Sequence, residues 1–410
     1  MTDTDADQNV IVIGAGQAGL AAAAKLRVLG HRGKLTMIGA EPYHPYQRPP
    51  LSKAYLLGDM TRERLFLRPP AFYDENHIDM RLGTHVTRID RDAKSVTLSD
   101  GGQMTYDKLI LTTGAEPVRL PDAIVSDLGG VFYMRDLKDA DAIAEVMTPG
   151  RRVLVVGGGY IGLEGAAVAC KLGMHVTLVE AGARILNRVA ASETANFFRS
   201  LHRANRVDLR ENIGLVALHG NKGQVQQAKL SDGTIIACDL VLVGIGVRPR
   251  QNVAEEAGLV LDNGIKTNCY GQTSDDSIYA AGDCASFPWM GRRIRLESVG
   301  NAIDQAEIVA ANVLGQGLNY VAAPWFWSDQ YDVKLQIAGL STGYDNVIIR
   351  RTDANSVSHW YFADQRLIAI DALNDPRSYM VAKRLIEAGK TPDPALVKDP
   401  KSDLKALLKS

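Results

Sequence analysis

Cysteine is scarce in this chain, and where it sits excludes more than its number does. Only Cys170, Cys238, Cys269 and Cys284 occur, far apart and with no Cys-x-x-Cys or metal-ligand spacing. A disulfide framework and a paired redox dithiol are thereby excluded, no metal site is expected, and the four are expected to be buried, reduced thiols. Charge of one sign is lacking too: 46 Lys and Arg face 47 Asp and Glu, for a formal net charge of -1. Overall attraction to nucleic acid or to an anionic membrane is absent, and neither is expected as a partner. No apolar run is long enough to cross a bilayer. The polar, acidic start from Met1 to Asn9 has neither the basic beginning nor the apolar stretch of a secretory signal, so a cytoplasmic location is expected.

What is present is repetition. At 410 residues two or three domains are expected. The run Val10-Ile11-Val12-Ile13 is a fully buried strand by composition; it ends at Gly14, and an Ala-rich helical stretch follows from Ala18 to Leu29. The same order returns at Val153-Leu154-Val155-Val156, a glycine turn, and a helix ending near Leu172-Gly173. Further on, Leu98-Ser99-Asp100-Gly101, Asp107 and Leu109-Ile110-Leu111 are echoed by Leu230-Ser231-Asp232-Gly233, Asp239 and Val241-Leu242-Val243, each a hairpin turn leading towards a buried strand. Ser277 to Asp283 is a further short strand, which predicts that a returning segment completes the first domain around an inserted second one. From Trp325 the alternating runs Val333 to Ile337 and Val347 to Ile349 predict an antiparallel sheet.

Both turns carry the G-x-G-x-x-G spacing between a strand and a helix. In the first, the residues are Gly14, Ala15, Gly16 and Gly19; in the second, Gly157, Gly159, Tyr160, Ile161 and Gly162. Glycine there permits the tight turn and the close approach of a pyrophosphate to the positive end of the helix. The strand after the second turn ends in Glu180, where a carboxylate accepts hydrogen bonds from a ribose 2′-hydroxyl and repels a 2′-phosphate. NADH is therefore expected over NADPH, against the alternative of a solvated strand-end acid. Arg184 is either a nucleotide contact or a solvent-facing cation.

Several separated segments carry a family resemblance: Pro45-Tyr46-Gln47-Arg48-Pro49-Pro50-Leu51-Ser52-Lys53, Thr112-Thr113-Gly114-Ala115, Gly157 to Glu164, Tyr279 to Asp283, Glu297-Ser298-Val299 and Trp325 to Gln330. In that order, over almost the whole length, the chain resembles the FAD-dependent NADH:ferredoxin reductases of bacterial oxygenase systems, the family of putidaredoxin reductase and the biphenyl-type dioxygenase reductases. The resemblance implies an α/β protein of two Rossmann-like nucleotide-binding domains, glutathione-reductase-like, with a smaller α+β C-terminal domain. The expected boundaries are 1-116 with 247-324 for non-covalent FAD, 117-246 for NADH, and 325-410. It further implies FAD along Gly14, Ala15 and Gly16, with Arg48, Val86, Arg135, Asp283 and Val299 as other flavin contacts. Lys53 and Glu164 would pair beside flavin and nicotinamide, against the alternative of plain surface charge, and Trp327 would lie near the flavin or simply in a core. A helix from Asn301 to Leu314 would point its positive end at the flavin. Two departures stand out: Ala40 where relatives often carry an acid, which moves ribose recognition to Glu41, and Gln47 for a common Asp.

The expected reaction is hydride from NADH to FAD and single electrons onward to a 2Fe-2S ferredoxin serving a haem monooxygenase or ring-hydroxylating dioxygenase. The expected state is a monomer or weak dimer. Disulfide or peroxide reduction needs a thiolate near flavin, and no cysteine precedes Cys170. An NADH oxidase, a quinone-type reductase and a redox-sensing interaction module remain open. Arg292-Arg293-Ile294-Arg295 and Arg350-Arg351 are either docking charges for an acidic ferredoxin or ordinary solvated ones.

Overall fold

The computed structural model describes residues 5–353 and 355–408; residues 1–4 of the acidic start lie outside them. Two compact units result. The first takes the residues up to Gln47, Arg62–Glu116 and Arg248–Pro324; the second takes Arg48–Thr61, Pro117–Val247 and the residues from Trp325 on.

In the first unit, Val10–Ile13 is the middle of a five-stranded parallel sheet, flanked by Leu35–Gly39 and Lys108–Leu111, with Ile78–Leu82 and Ile278–Ala280 at the edges. Its central strand is buried at every position, as an apolar run covered on both faces must be. The edge strand Ile278–Ala280 is the expected returning segment. The helix Gln17–Val28 covers one face together with Val299–Val313; Leu20, Ala22, Ala23 and Leu26 share a core with Ala302, Ala306, Val309 and Val313. Small alanines let the two helices approach closely. The second helix starts two residues before the expected Asn301, where the Ser298 hydroxyl caps it by accepting from the Asn301 N–H at 3.2 Å.

The second unit repeats the plan. Arg152–Val156 is central, between His175–Glu180 and Leu240–Val243, with Asp208–Glu211 and Val131–Tyr133 at the edges, all parallel. Here the edge strand beside Leu240–Val243 comes from earlier in the chain rather than later. Each unit also carries a three-stranded antiparallel sheet: Val86–Asp90, Ser95–Leu98 and Gln103–Thr105 in the first, Leu215–Asn221, Gln224–Leu230 and Ile235–Ala237 in the second. The echoed hairpin turns are the second bend of each.

The expected antiparallel sheet from Trp325 has five strands, in the order Trp325–Gln330, Val333–Gly339, Arg366–Leu373, Val357–Ala363, Asn346–Arg351. Val333, Leu335, Val357 and Leu373 join the core of the second copy through Leu163 and Val168. Trp360, Phe362 and Ile370 instead pack on Tyr379, Ala382 and Leu385 of the helix Pro376–Glu387. Arg350 is only 3% exposed, against its expectation as a docking charge. Its guanidinium donates to the carbonyls of Val397, Asp399, Pro400 and Ser402 and to the Ser402 hydroxyl, tying the C-terminal turn to the sheet.

Candidate functional site

The three glycines of each fingerprint divide the labour. A Cβ on Gly14 would stand 2.1 Å from the Thr112 carbonyl oxygen, and one on Gly19 would stand 1.9 Å from the Gly14 carbonyl oxygen. Gly14 also has φ +115°, a conformation that side chains other than hydrogen rarely adopt. These two are glycine so that helix and strand can touch. Gly16 has nothing within 4 Å of where its Cβ would be. Its bareness serves no packing and leaves open space before the helix Gln17–Val28, whose start has no side-chain cap and no acid in its first turn. The second copy agrees: Cβ atoms on Gly157 and Gly162 would lie 2.4 Å and 2.0 Å from carbonyl oxygens, while Gly159 meets nothing nearer than 3.9 Å. The helix Tyr160–Lys171 likewise starts without a side-chain cap or an acid. Each loop is a cradle that fits a dinucleotide pyrophosphate.

The acids beyond the loops differ. Glu180 ends its strand and accepts from the backbone N–H of Gly158 at 2.7 Å and of Gly182 at 2.6 Å, so its carboxylate is fixed against the fingerprint itself. The parallel registers pair Val156 with Val179 and Ile13 with Ile38, which makes Gly39 the counterpart of Glu180. A Cβ on Gly39 would meet the Ala15 Cβ at 2.6 Å, so no acid fits there. Glu41, two residues on, accepts from the buried Tyr46 hydroxyl at 2.5 Å.

Lys53 and Glu164 form an ion pair of 2.6 Å, and Glu164 is 2% exposed, which removes the reading of both as plain surface charge. Two local features produce the pair. Glu164 lies four residues into the helix that the second glycine loop opens. Lys53 sits in Leu51–Tyr55, a single wide π-type turn in which Tyr55 N–H reaches back to Pro50 O. A buried carboxylate is costly unless its oxygens are satisfied. Here Oε2 accepts from Lys53 Nζ and from Ser52 Oγ at 2.8 Å, and Oε1 accepts from Ser328 Oγ at 2.7 Å. The two serines carried no signal in the sequence, since a lone Ser beside a motif is common.

Of the remaining expected residues, Arg48 donates to the Arg135 carbonyl at 2.8 Å, so these two are brought together in the second unit. Val86 begins the strand Val86–Asp90 and Val299 begins its helix; both are half-buried. Asp283 directly follows the edge strand Ile278–Ala280 and Gly282, and its carbonyl accepts from Arg295. Trp327 stacks on Trp325, with ring centroids 5.5 Å apart. Tyr160 packs against Phe326, and burial pushes its phenol well above the ordinary value. Ile161 is exposed at the mouth of the second loop. Arg184 is neither free nor solvent-facing: it donates to the carbonyls of Ile185, Ala190 and Ala191 and so braces the segment after Glu180.

Cys238 and Cys284 are buried, but Cys170 and Cys269 are only half-buried, against expectation. Burial pushes the Cys170 thiol up, which makes it a poor nucleophile. Arg293 and Arg295 are spent on the carbonyls of Thr267, Ser286 and Asp283, leaving Arg292 as the exposed member of that cluster. Among the described residues no helix is long and apolar enough to cross a membrane, and no group of three His, Cys, Asp or Glu could hold a metal ion.

Comparison with known proteins agrees with this architecture. Residues 8–306 match the pyridine nucleotide-disulphide oxidoreductase family and residues 325–408 the reductase C-terminal family. The chain is 43% identical to a ferredoxin-NAD(P)(+) reductase of a Sphingomonas species, covering 99% of this chain and 98% of that one. It is 41% identical to putidaredoxin reductase of Pseudomonas putida, covering 98% and 97%. The solved covalent putidaredoxin reductase-putidaredoxin complex superposes with a TM-score of 0.95 at 41% identity, over 98% of each chain.

Proposed function

The chain belongs to the ferredoxin reductases of the pyridine nucleotide-disulphide oxidoreductase family, and on that premise we propose that it uses NADH and FAD to reduce a 2Fe-2S ferredoxin serving a haem monooxygenase or a ring-hydroxylating dioxygenase. It is an oxidoreductase of the ferredoxin-NAD(P)(+) reductase class. When bound, FAD supplies the exchange between a two-electron hydride donor and a one-electron acceptor, chemistry that side chains lack.

The observation that carries the reading is the pair of open glycine cradles, one of which has a carboxylate fixed beside it. Residues 1-116 with 247-324 would hold FAD non-covalently through Gly14, Ala15, Gly16, Gly19, Glu41, Val86, Asp283 and Val299, with Arg48, Lys53 and Arg135 from the adjoining segments. Residues 117-246 would hold NADH along Gly157, Gly159, Tyr160, Ile161 and Gly162, with Glu180 accepting from the ribose hydroxyls. Its two backbone bonds leave a carboxylate lone pairs to spare for that purpose. Arg184 would act indirectly, by bracing the loop beyond Glu180. Lys53 and Glu164 would position the reacting rings as a neutralised pair, and neither needs to move a proton for hydride transfer.

The test is cytochrome c reduction by the purified protein with NADH, with and without added 2Fe-2S ferredoxin, repeated with NADPH. A large ferredoxin-dependent rate that prefers NADH is expected. Fast oxygen or quinone reduction with no response to ferredoxin would make the chain an NADH oxidase or quinone-type reductase. Slow turnover with every acceptor would favour a redox-sensing module.

A further inference from the structure

We propose that Ser328, Gln330 and His202 are positioning residues for Glu164, forming a one-way hydrogen-bond chain from Tyr331 whose polarity is set by the ion-paired carboxylate. The proposal rests on the role given above to the Lys53–Glu164 pair and names what holds that pair still.

The geometry is continuous within the second unit. Ser328 Oγ lies 2.7 Å from Glu164 Oε1, Gln330 Nε2 lies 3.2 Å from Ser328 Oγ, His202 Nε2 lies 2.8 Å from Gln330 Oε1, and the Tyr331 hydroxyl lies 3.3 Å from His202 Nδ1. Ser328, Gln330 and His202 are wholly buried. Water therefore does not compete for these groups, and each must be satisfied by its neighbour.

The direction of every bond follows from one fact. A carboxylate paired with an ammonium has no proton to give, so Ser328 must donate to it. A hydroxyl has one hydrogen, so Ser328 can only accept from Gln330, which must then present its NH2. That turns the Gln330 carbonyl to His202, which must carry hydrogen on Nε2. His202 Nδ1 is left as the acceptor for Tyr331. Burial lowers the His202 pKa, in keeping with a neutral ring of fixed tautomer. Flipping any member would set two donors or two acceptors against each other inside the core.

The consequence lies at the carboxylate. Lys53 and Ser52 hold Oε2, and the chain holds Oε1, so Glu164 cannot rotate away from Lys53 without leaving a buried oxygen unpaired. A closed polar network of this kind rigidifies what it surrounds.

Selective 15N-histidine labelling of the flavin-loaded full chain reads the chain without reference to turnover. Among the eight histidines, His202 should show a single tautomer, with hydrogen on Nε2. Glu164→Gln, which keeps the shape but can donate, should shift the His202 ring signals towards mixed tautomers and leave the other histidines unchanged. Ser328→Ala, a smaller cut, should do the same with Glu164 intact. Gln330→Met should slow flavin reduction by NADH by roughly three- to tenfold. An unaltered His202 spectrum in both Glu164→Gln and Ser328→Ala would overturn the proposal, even if the reduction rate falls. A His202 shift with a wild-type reduction rate in Glu164→Gln would uphold the chain and reject the role of the ion pair in the reaction.

Discussion

At the start of its central strand each nucleotide-binding copy carries the same small clamp. Asp107 accepts from the Asn9 N–H at 2.7 Å and returns its own N–H to the Asn9 carbonyl. Asp239 does both with Arg152, at 2.8 Å each way. At the far end of the neighbouring strand the copies part: Glu180 in one stands where the other has Gly39, with its acid two residues later. The bonds that make the fold have been kept in duplicate, while the residues that meet the nucleotide have been free to diverge. Packing has one solution for this strand, turn and helix, whereas two different cofactors ask for two different sites.

The sharpest way to break this parallel is at the packing glycines. Gly19→Ala should cost about 3 kcal/mol, because the methyl would meet backbone that cannot yield; denaturant unfolding and flavin content check it. Gly162→Ala should cost a similar amount but spare the bound flavin. Equal flavin loss in both would argue that the copies are not assigned to separate cofactors.

Glu180 tests the divergent end. Glu180→Ala combined with Ala181→Arg should move the NADH:NADPH ratio of kcat/KM by about 100-fold towards NADPH. Unchanged selectivity would reject the ribose role, and Glu180→Gln separates charge from the loop bonds to Gly158 and Gly182.

Smaller effects are expected at the open glycines. With nothing within 4 Å, Gly16→Ala should leave stability within about 1 kcal/mol yet weaken flavin binding by roughly tenfold, while Gly159→Ala should instead raise the KM for NADH. Fluorescence titration and steady-state kinetics decide.

The smallest difference lies in the clamps. Arg152 adds guanidinium bonds that Asn9 cannot make, and this hydrogen bonding holds the Asp239 carboxyl down to about 2. A folded value below the ordinary 3.8 contributes stability above about pH 4, lost as the pH falls towards 2. Because the pair is partly exposed, Arg152→Asn should cost only about 0.5–1 kcal/mol at pH 7. That cost should vanish near pH 2, as melting temperatures across pH would show.

The repeat, both cradles and the returning strand were legible because they rest on local rules: a run of β-branched residues is a buried strand, and spaced glycines are a turn. Glu164 was legible as a position and not as a buried acid, because burial depends on Ser52 and Ser328, which are remote in sequence. The chain through Gln330 and His202 was invisible for the same reason. Arg350 was misjudged because two adjacent arginines look like surface, and only the path of the C-terminal turn puts one of them inside. Residues 48–61 follow the second unit although the preceding strand belongs to the first, which no local pattern announces.

That buried guanidinium bears on engineering. Reductases invite fusion to their electron acceptor, and a linker is usually grafted where the last helix ends. Here the residues from Val397 to Ser402 act as a latch whose keeper is Arg350. A graft that replaces them would strand a cation in the sheet, whereas a linker appended after Ser402 leaves the latch shut.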